Sequence, residues 1–296
     1  MRILLTGASG FIGGHVVRVL QEAGHDLLLI SRKPHSDLGQ IRWIEADFSE
    51  PETLRKELES FAPEVVFHLA WDGIPDFSEA TCTKNVLGSL RFLGLVGSLP
   101  SVRRIVSAGS CWEYGDHAGA CVETLNPTPG NWFTWAKEAV LRYQMRLGAE
   151  RDILWFWPRI FFVYGIGQRS QALIPSVTTA LRAGKIPDVR SPFARNDFIH
   201  VSDVAAGLAR FVDTAASSGI YNLGSGVETT VLEVVKTIES VLGHDDRASL
   251  AIEHASAGRP MPKPGIYADT AKAQSRLQWR AATSLRCGLA QFVDGY

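Results

Sequence analysis

The chain is poor in cysteine, nearly neutral in charge, and without a long apolar run. Its four cysteines (Cys82, Cys111, Cys121 and Cys287) form no CxxC pair and share no regular spacing. That argues against a disulfide framework and fits reduced thiols in a cytoplasmic setting. A formal net charge of −1 over 296 residues leaves no basic face for nucleic acid or for a membrane surface. An anionic ligand must then be held by local arginines or by helix ends. The apolar run after Met1-Arg2 stops at Thr6-Gly7, too short for a signal peptide. The most apolar stretch, Leu154 to Tyr164, is broken by Pro158 and Arg159 and falls short of a membrane span. No internal repeat or low-complexity tract is visible, and no metal is expected.

What is present suffices for a large core: 46% of residues are hydrophobic and 21% charged, enough for one large α/β domain or a large domain with a small lobe. Ile3-Leu4-Leu5, stopped by glycine, has the look of a buried parallel strand. Ile12, Val16, Val19, Leu20 and Ala23 then mark one face of a helix closed by Gly24. Leu27–Ile30, Ile41–Ala46, Val65–Leu69 and Arg104–Ser107 read as further strands, and Ser49 with Glu52 as a capping box ahead of Leu54, Leu58 and Phe61. Helices are expected around Asn85–Leu95 and Asn131–Leu147, and a strand over Ile153–Ile160. This alternation predicts a doubly wound parallel sheet with right-handed crossovers, which binds ligands beyond the carboxyl ends of its strands. After Gly165 the segments shorten and two helical stripes stand apart, Val231–Leu242 and Leu285–Val293. The expected division is a large domain of residues 1–165 plus about 196–219, and a smaller C-terminal substrate lobe of about 166–195 plus 220–296.

Thr6-Gly7-Ala8-Ser9-Gly10-Phe11-Ile12-Gly13 joins the first strand to the first helix. Glycine there lets backbone approach a pyrophosphate, and the helix N-terminus supplies donors and partial positive charge. Lying after a strand and before an amphipathic helix, the triplet has the context of a Rossmann dinucleotide site. At the end of the second strand an NAD-binding protein places an acid on the ribose 2′-hydroxyl; this chain has Ser31, Arg32 and Lys33. A carboxylate repels a 2′-phosphate and a guanidinium pairs with it, so NADP(H) is favoured over NAD(H). The alternative leaves Arg32 and Lys33 merely solvated.

From these motifs onward the chain resembles the extended short-chain dehydrogenase/reductases of the nucleotide-sugar epimerase, dehydratase and ketoreductase type, nearly end to end. TGxxGxxG is Thr6 to Gly13; His68-Leu69-Ala70 resembles the HLA segment flanking the cofactor, and Asn85 the asparagine of the next helix. Pro158 to Gly165, Asp197 to Val204, Tyr221 to Gly226 and Leu277-Gln278-Trp279 resemble later segments of the family. The resemblance implies a cofactor site of Gly7, Ser9, Gly10, Phe11, Ile12, Gly13, Ser31, Arg32, Asp47, Phe48, Leu69, Ala70 and Lys137. It implies substrate contacts at Ser110, Phe133, Phe162, Arg195 and Arg259. Three departures stand out: Phe162 replaces an asparagine, Arg195 lies one position early, and in Phe133-Thr134-Trp135-Ala136-Lys137 the tyrosine of YxxxK is Phe133.

In that family the tyrosine exchanges a proton with the sugar while hydride moves at the nicotinamide, the lysine holds the nicotinamide ribose, and a serine bonds the reacting oxygen. The resemblance puts Ser110 and Lys137 in the last two roles. Phe133 has no exchangeable proton, so the acid or base must come from elsewhere. Cys111 is one candidate, as a thiol near neutral pKa beside Lys137; the other reading makes it a small buried hydrophobe. Glu113 and Tyr114 are expected to point away, His117 to be solvated or to reach in, and Trp132, Trp135, Trp155 and Trp157 to pack near the lobe junction.

These readings point to an NADP(H)-dependent oxidoreductase acting on a nucleotide-activated sugar, most simply a keto-sugar reductase. The alternatives are an epimerase or dehydratase with a relocated acid/base, and a catalytically silent NADP(H)-binding sensor or scaffold. By resemblance the protein is a homodimer through the helices near Asn85 and Lys137.

Overall fold

In the computed structural model, residues 1–32, 41–258, 262 and 264–296 are described. Apolar runs and amphipathic stripes alternate through β1 (Arg2–Thr6), α1 (Phe11–Glu22), β2 (Asp26–Ser31), β3 (Arg42–Glu45), α2 (Arg55–Phe61), β4 (Val65–His68) and α3 (Glu79–Ser98). Then come β5 (Arg104–Ser107), β6 (Gly109–Ser110), β7 (Gly119–Cys121), α4 (Trp132–Arg151), β8 (Leu154–Ile160) and β9 (Phe162–Tyr164). The rest holds α5 (Leu173–Arg182), β10 (Arg195–His200), α6 (Val201–Ala209), β11 (Gly219–Leu223), β12 (Glu228–Thr230) and α7 (Val231–Val241). The chain ends through α8 (Arg247–Ala255), β13 (Ile266–Ala268), α9 (Ala271–Leu277) and α10 (Leu285–Gly295).

The large sheet has the order β11-β8-β5-β4-β1-β2-β3, with β6 beside β8, and every pairing is parallel. Its strands are covered on both faces, and side chains alternate between the two covers. Ile3, Leu5, Leu29 and Phe67 share one core with Val16, Val17 and Leu20 of α1 and Val204, Ala205 and Leu208 of α6. Leu4, Leu28, Val66 and Ile105 face the other way, onto Phe92 and Val96 of α3 and Val140 and Leu141 of α4. From β1 the order runs one way to β2 and the other way to β4. That reversal leaves a crevice at the carboxyl end of β1.

A second, mixed sheet has the order β12-β10-β13-β7, with β9 beside β10; β10 and β12 are antiparallel. Its core is Phe198 with Ile174 and Val177 of α5, Val234, Val235 and Ile238 of α7, Ile252 of α8 and Phe292 of α10. The fold is thus the expected doubly wound parallel sheet with a smaller second lobe. The junctions differ from those read in the sequence. β11, expected in the smaller lobe, closes the large sheet, whereas β10 pairs within the second sheet while its Ile199 already packs into the large core ahead of α6. Residues 271–279 also return, placing Ala273, Leu277 and Trp279 in the large core. The Ser49/Glu52 capping box does not form, because Pro51–Leu54 makes a short 3₁₀ turn whose N-cap is Glu50 without a side-chain bond. A reciprocal box forms instead at α7, between Thr230 and Glu233. Trp157 is buried, but Trp132 and Trp135 are about two-fifths exposed and do not pack into the junction. Among the described residues no helix is long and apolar enough to cross a membrane.

Candidate cofactor and active site

The crevice begins where β1 ends. Gly7 takes a φ of +83°, and a Cβ there would lie 2.6 Å from the backbone nitrogen of Ala70. A Cβ on Gly13 would lie 2.0 Å from the Gly7 carbonyl oxygen. Both glycines are therefore set by the space between the loop, the β4 end and α1. Gly10 is the N-cap of α1 and provides no side-chain bond to the first helical N–H groups. Those open donors, at the positive end of the helix dipole, suit a pyrophosphate.

A cavity of about 630 Å³ opens from this loop. Gly7, Ser9, Gly10, Phe11, Ile12, Gly13, Ser31, Arg32, Asp47, Phe48, Leu69 and Ala70 all line it. Of the residues expected at the cofactor only Lys137 does not. The Ser31 hydroxyl donates to Ser9 Oγ at 3.1 Å, linking β2 to the glycine loop. Asp47 Oδ1 accepts the Ser49 backbone N–H at 2.9 Å and so shapes the turn that presents Phe48. The floor under Leu69 is built by His68, whose ring nitrogens lie 2.8 Å from Thr6 Oγ1 and 2.9 Å from Ser89 Oγ. Burial, with the Lys137 ammonium nearby, drives the His68 pKa down to about 3, so it is a neutral strut. The glycine cradle, the open helix end and the absence of an acid at Ser31-Arg32 fit a nicotinamide dinucleotide.

The cavity is also lined by Trp71, Asp72, Lys84, Val163 and Arg169, which the sequence reading missed. Asp72 accepts two bonds from Arg32, at 3.0 and 3.2 Å, and one from Lys84 at 3.1 Å. Only its place directly after His68-Leu69-Ala70-Trp71 could have signalled it.

Where the nicotinamide end is expected, the side chains are unusually apolar. Phe133 is buried with its ring centroid 4.8 Å from that of Phe77, 5.5 Å from Trp71 and 5.9 Å from Trp112. Lys137, one turn along α4, donates to the Ala108 carbonyl at 2.9 Å and lies 3.8 Å from the Trp71 ring centre. Burial lowers its pKa to about 8, against the opposing pull of Glu113. The amine thus sits behind Trp71 rather than in the cavity. Ser110 heads the turn that carries Trp112: its hydroxyl accepts the Trp112 N–H at 3.2 Å, and its own N–H donates to Glu113 Oε1 at 2.7 Å. That hydroxyl donates to no acceptor among the described residues.

Three expected site residues lie elsewhere. Cys111 is buried in the core that holds Tyr114, Cys121 and Phe161. Burial and the nearby Asp197 carboxylate push its thiol well above the ordinary cysteine range, so it is a core residue and not an acid/base. The capping turn explains this, since it aims Cys111 inward and leaves Trp112 outside. Phe162 packs against Phe198, ring centroids 6.1 Å apart, and the next residue of β9, Val163, faces the cavity instead. Arg195 pairs with Glu228 across the β10–β12 ladder at 3.1 Å, outside the cavity. Arg259 and Lys33 lie outside the described residues.

Glu113 points away as expected: fully buried, it accepts from Trp157 Nε1 at 3.0 Å and from Arg159 Nε at 3.0 Å. Tyr114 donates to Asn222 Oδ1 at 2.6 Å. His117 Nε2 lies 3.0 Å from the Ala120 carbonyl and does not reach the cavity. No cluster of His, Cys, Asp and Glu able to hold a metal occurs among the described residues.

Fold and cavity together define a Rossmann-type protein with a site for an NAD(P) dinucleotide. The chain belongs to the NAD dependent epimerase/dehydratase family, a sequence model of which matches residues 3–224. A UDP-glucose 4-epimerase from Mycolicibacterium smegmatis is 27% identical, with 99% of this chain and 98% of that protein covered. UDP-glucuronic acid decarboxylase 6 from Arabidopsis thaliana is 27% identical over 100% of this chain and 89% of its own. Among solved structures, MoeE5 in complex with UDP-glucuronic acid and NAD superposes with a TM-score of 0.83 at 28% identity, covering 99% of this chain and 98% of that one.

Proposed function

We propose that the protein binds NADP(H) in this cavity and transforms a nucleotide-activated sugar. The observation that carries the reading is the cradle itself: Gly7 and Gly13 with no room for a Cβ, beside an uncapped α1. Its similar proteins are a 4-epimerase and a decarboxylase, which supports the epimerase/dehydratase type over net keto-sugar reduction. Ser31-Arg32 at the end of β2 supports the phosphorylated cofactor. A nicotinamide held by this cradle would supply the hydride acceptor and donor. Ser110 offers a hydroxyl proton at the strand end, and Lys137, packed against Trp71, holds an amine whose pKa of about 8 suits proton exchange near neutrality. Leu87 on α3 and Trp135 on α4 are left exposed, which supports a homodimer through those helices.

The test is turnover of UDP-glucose and UDP-glucuronic acid with each dinucleotide, followed by product analysis. Ser110→Ala and Lys137→Ala should each lower turnover by roughly 10²–10⁴-fold, the usual worth of positioned acid–base groups. Dinucleotide binding with no turnover of any sugar nucleotide would instead support the silent sensor, and wild-type rates in both variants would remove Ser110 and Lys137 from the chemistry.

A further inference from the structure

Arg32 and Asp72 sit at the ends of strands that do not touch. Arg32 follows β2 and Asp72 follows β4, and β1 lies between them in the sheet. Their bidentate ion pair therefore crosses the carboxyl end of β1, above the Gly7–Gly13 cradle, and both residues line the cavity with Lys84. The two partners differ in freedom. Asp72 is fixed by its backbone: its N–H donates to Asn85 Oδ1 at 2.7 Å and its carbonyl accepts Asn85 Nδ2 at 3.0 Å. Asn85 is itself held by a bond of 2.8 Å to the Thr81 carbonyl. Arg32 is a long side chain 62% exposed, so it is the member that can turn. Lys84 and Arg32 together hold the Asp72 carboxyl below the usual range, so it stays charged at neutral pH.

We propose that Asp72 sets the dinucleotide preference of this site, by competing with a 2′-phosphate for Arg32 and Lys84. The inference rests on the reading of the cavity as an NAD(P) site. A dinucleotide without the phosphate enters and leaves the Arg32–Asp72 pair as it is. One with the phosphate gains Arg32 only by taking it from Asp72, so the gain a guanidinium at this position gives is partly offset. A phosphate monoester carries about −1.5 to −2 charges at pH 7 and an exposed ion pair is weak, so the phosphate wins, by a reduced margin. Asp72 is a positioning residue here: it acts on the cofactor through Arg32 and Lys84, and it keeps the site usable by both dinucleotides.

Binding of NADPH and NADH, read separately by calorimetry, tests this. Asp72→Asn should tighten NADPH by roughly 2- to 5-fold, the worth of an exposed ion pair, and change NADH by less than 2-fold. Asp72→Glu should restore the wild-type ratio, and adding Arg32→Ala to Asp72→Asn should erase most of the gain. An unchanged NADPH/NADH ratio in Asp72→Asn, or equal shifts for both, would make Asp72 only a brace for its turn and overturn the inference while leaving the cofactor site standing. Failure of the wild-type chain to bind either dinucleotide would overturn the site and the inference together.

Discussion

At the scale of the residue, the site is defined by where charge has been buried. Lys137 is almost without solvent, under Trp71 and against Phe133, and its pKa falls to about 8 from about 10.4 in an unfolded chain. Below pH 8 the amine is protonated in both states and the full cost of burying it counts against folding. Between pH 8 and about 10.4 the folded protein gives up that proton first, so wild-type stability rises with pH. Lys137→Met should then be more stable than wild type at pH 7, by roughly 1–3 kcal/mol, with the advantage shrinking toward pH 10.4. Urea melts across that range check it; a difference that does not vary with pH would mean that the amine is solvated. The place of the glycines, Ser31-Arg32 and Asp47 at the cavity was legible in the sequence because it follows from chain position and residue type. The direction of Cys111 was not, because it depends on a turn that Ser110 and Glu113 cap between them.

At the scale of the element, β1, the glycine loop and α1 act as one unit. The contrast between adjacent glycines makes this measurable. Gly13→Ala places a methyl 2.0 Å from the Gly7 oxygen, whereas at Gly14 the nearest obstacle, the Ala8 oxygen, is 3.6 Å away. Gly13→Ala should weaken dinucleotide binding by about tenfold or more, since α1 must shift off the loop. Gly14→Ala should bind normally and gain roughly 0.5–1 kcal/mol in stability, as alanine is the better helix former. Equal behaviour of the two variants would show that the loop adapts. Most strands and helices of the large sheet were readable from their periodicity, since most are long enough to show one; β11 and the two-residue β6 were not. The three-residue strands β7, β9, β12 and β13 were not: they are set by partners far along the chain, and Gly119-Ala120-Cys121 has no pattern of its own.

For the whole molecule, one buried carboxylate ties the second lobe together. Asp197 on β10 accepts bonds from Ser225 N and Oγ at 2.7 and 2.6 Å, from Gly226 N at 2.9 Å and from Ala268 N at 3.0 Å. It thus joins β10, the segment after β11, and β13. Asp197→Ala strands three backbone N–H groups, and chemical denaturation should show a loss of about 3–5 kcal/mol; a loss below about 1 kcal/mol would mean that water replaces the carboxylate without cost. Division into two lobes was legible in the changing segment lengths, but the crossings between them were not, since β10 and β11 are successive strands, separated by α6, that lie in different sheets. The pairing of β7 with β13 joins residues 119–121 to residues 266–268. During synthesis the large sheet can close once β11 has left the ribosome, but β7 must wait for the last strand of the chain. A nascent chain stalled before Ile266 would carry β7 with its pairing edge open, the kind of edge that recruits strands from other chains.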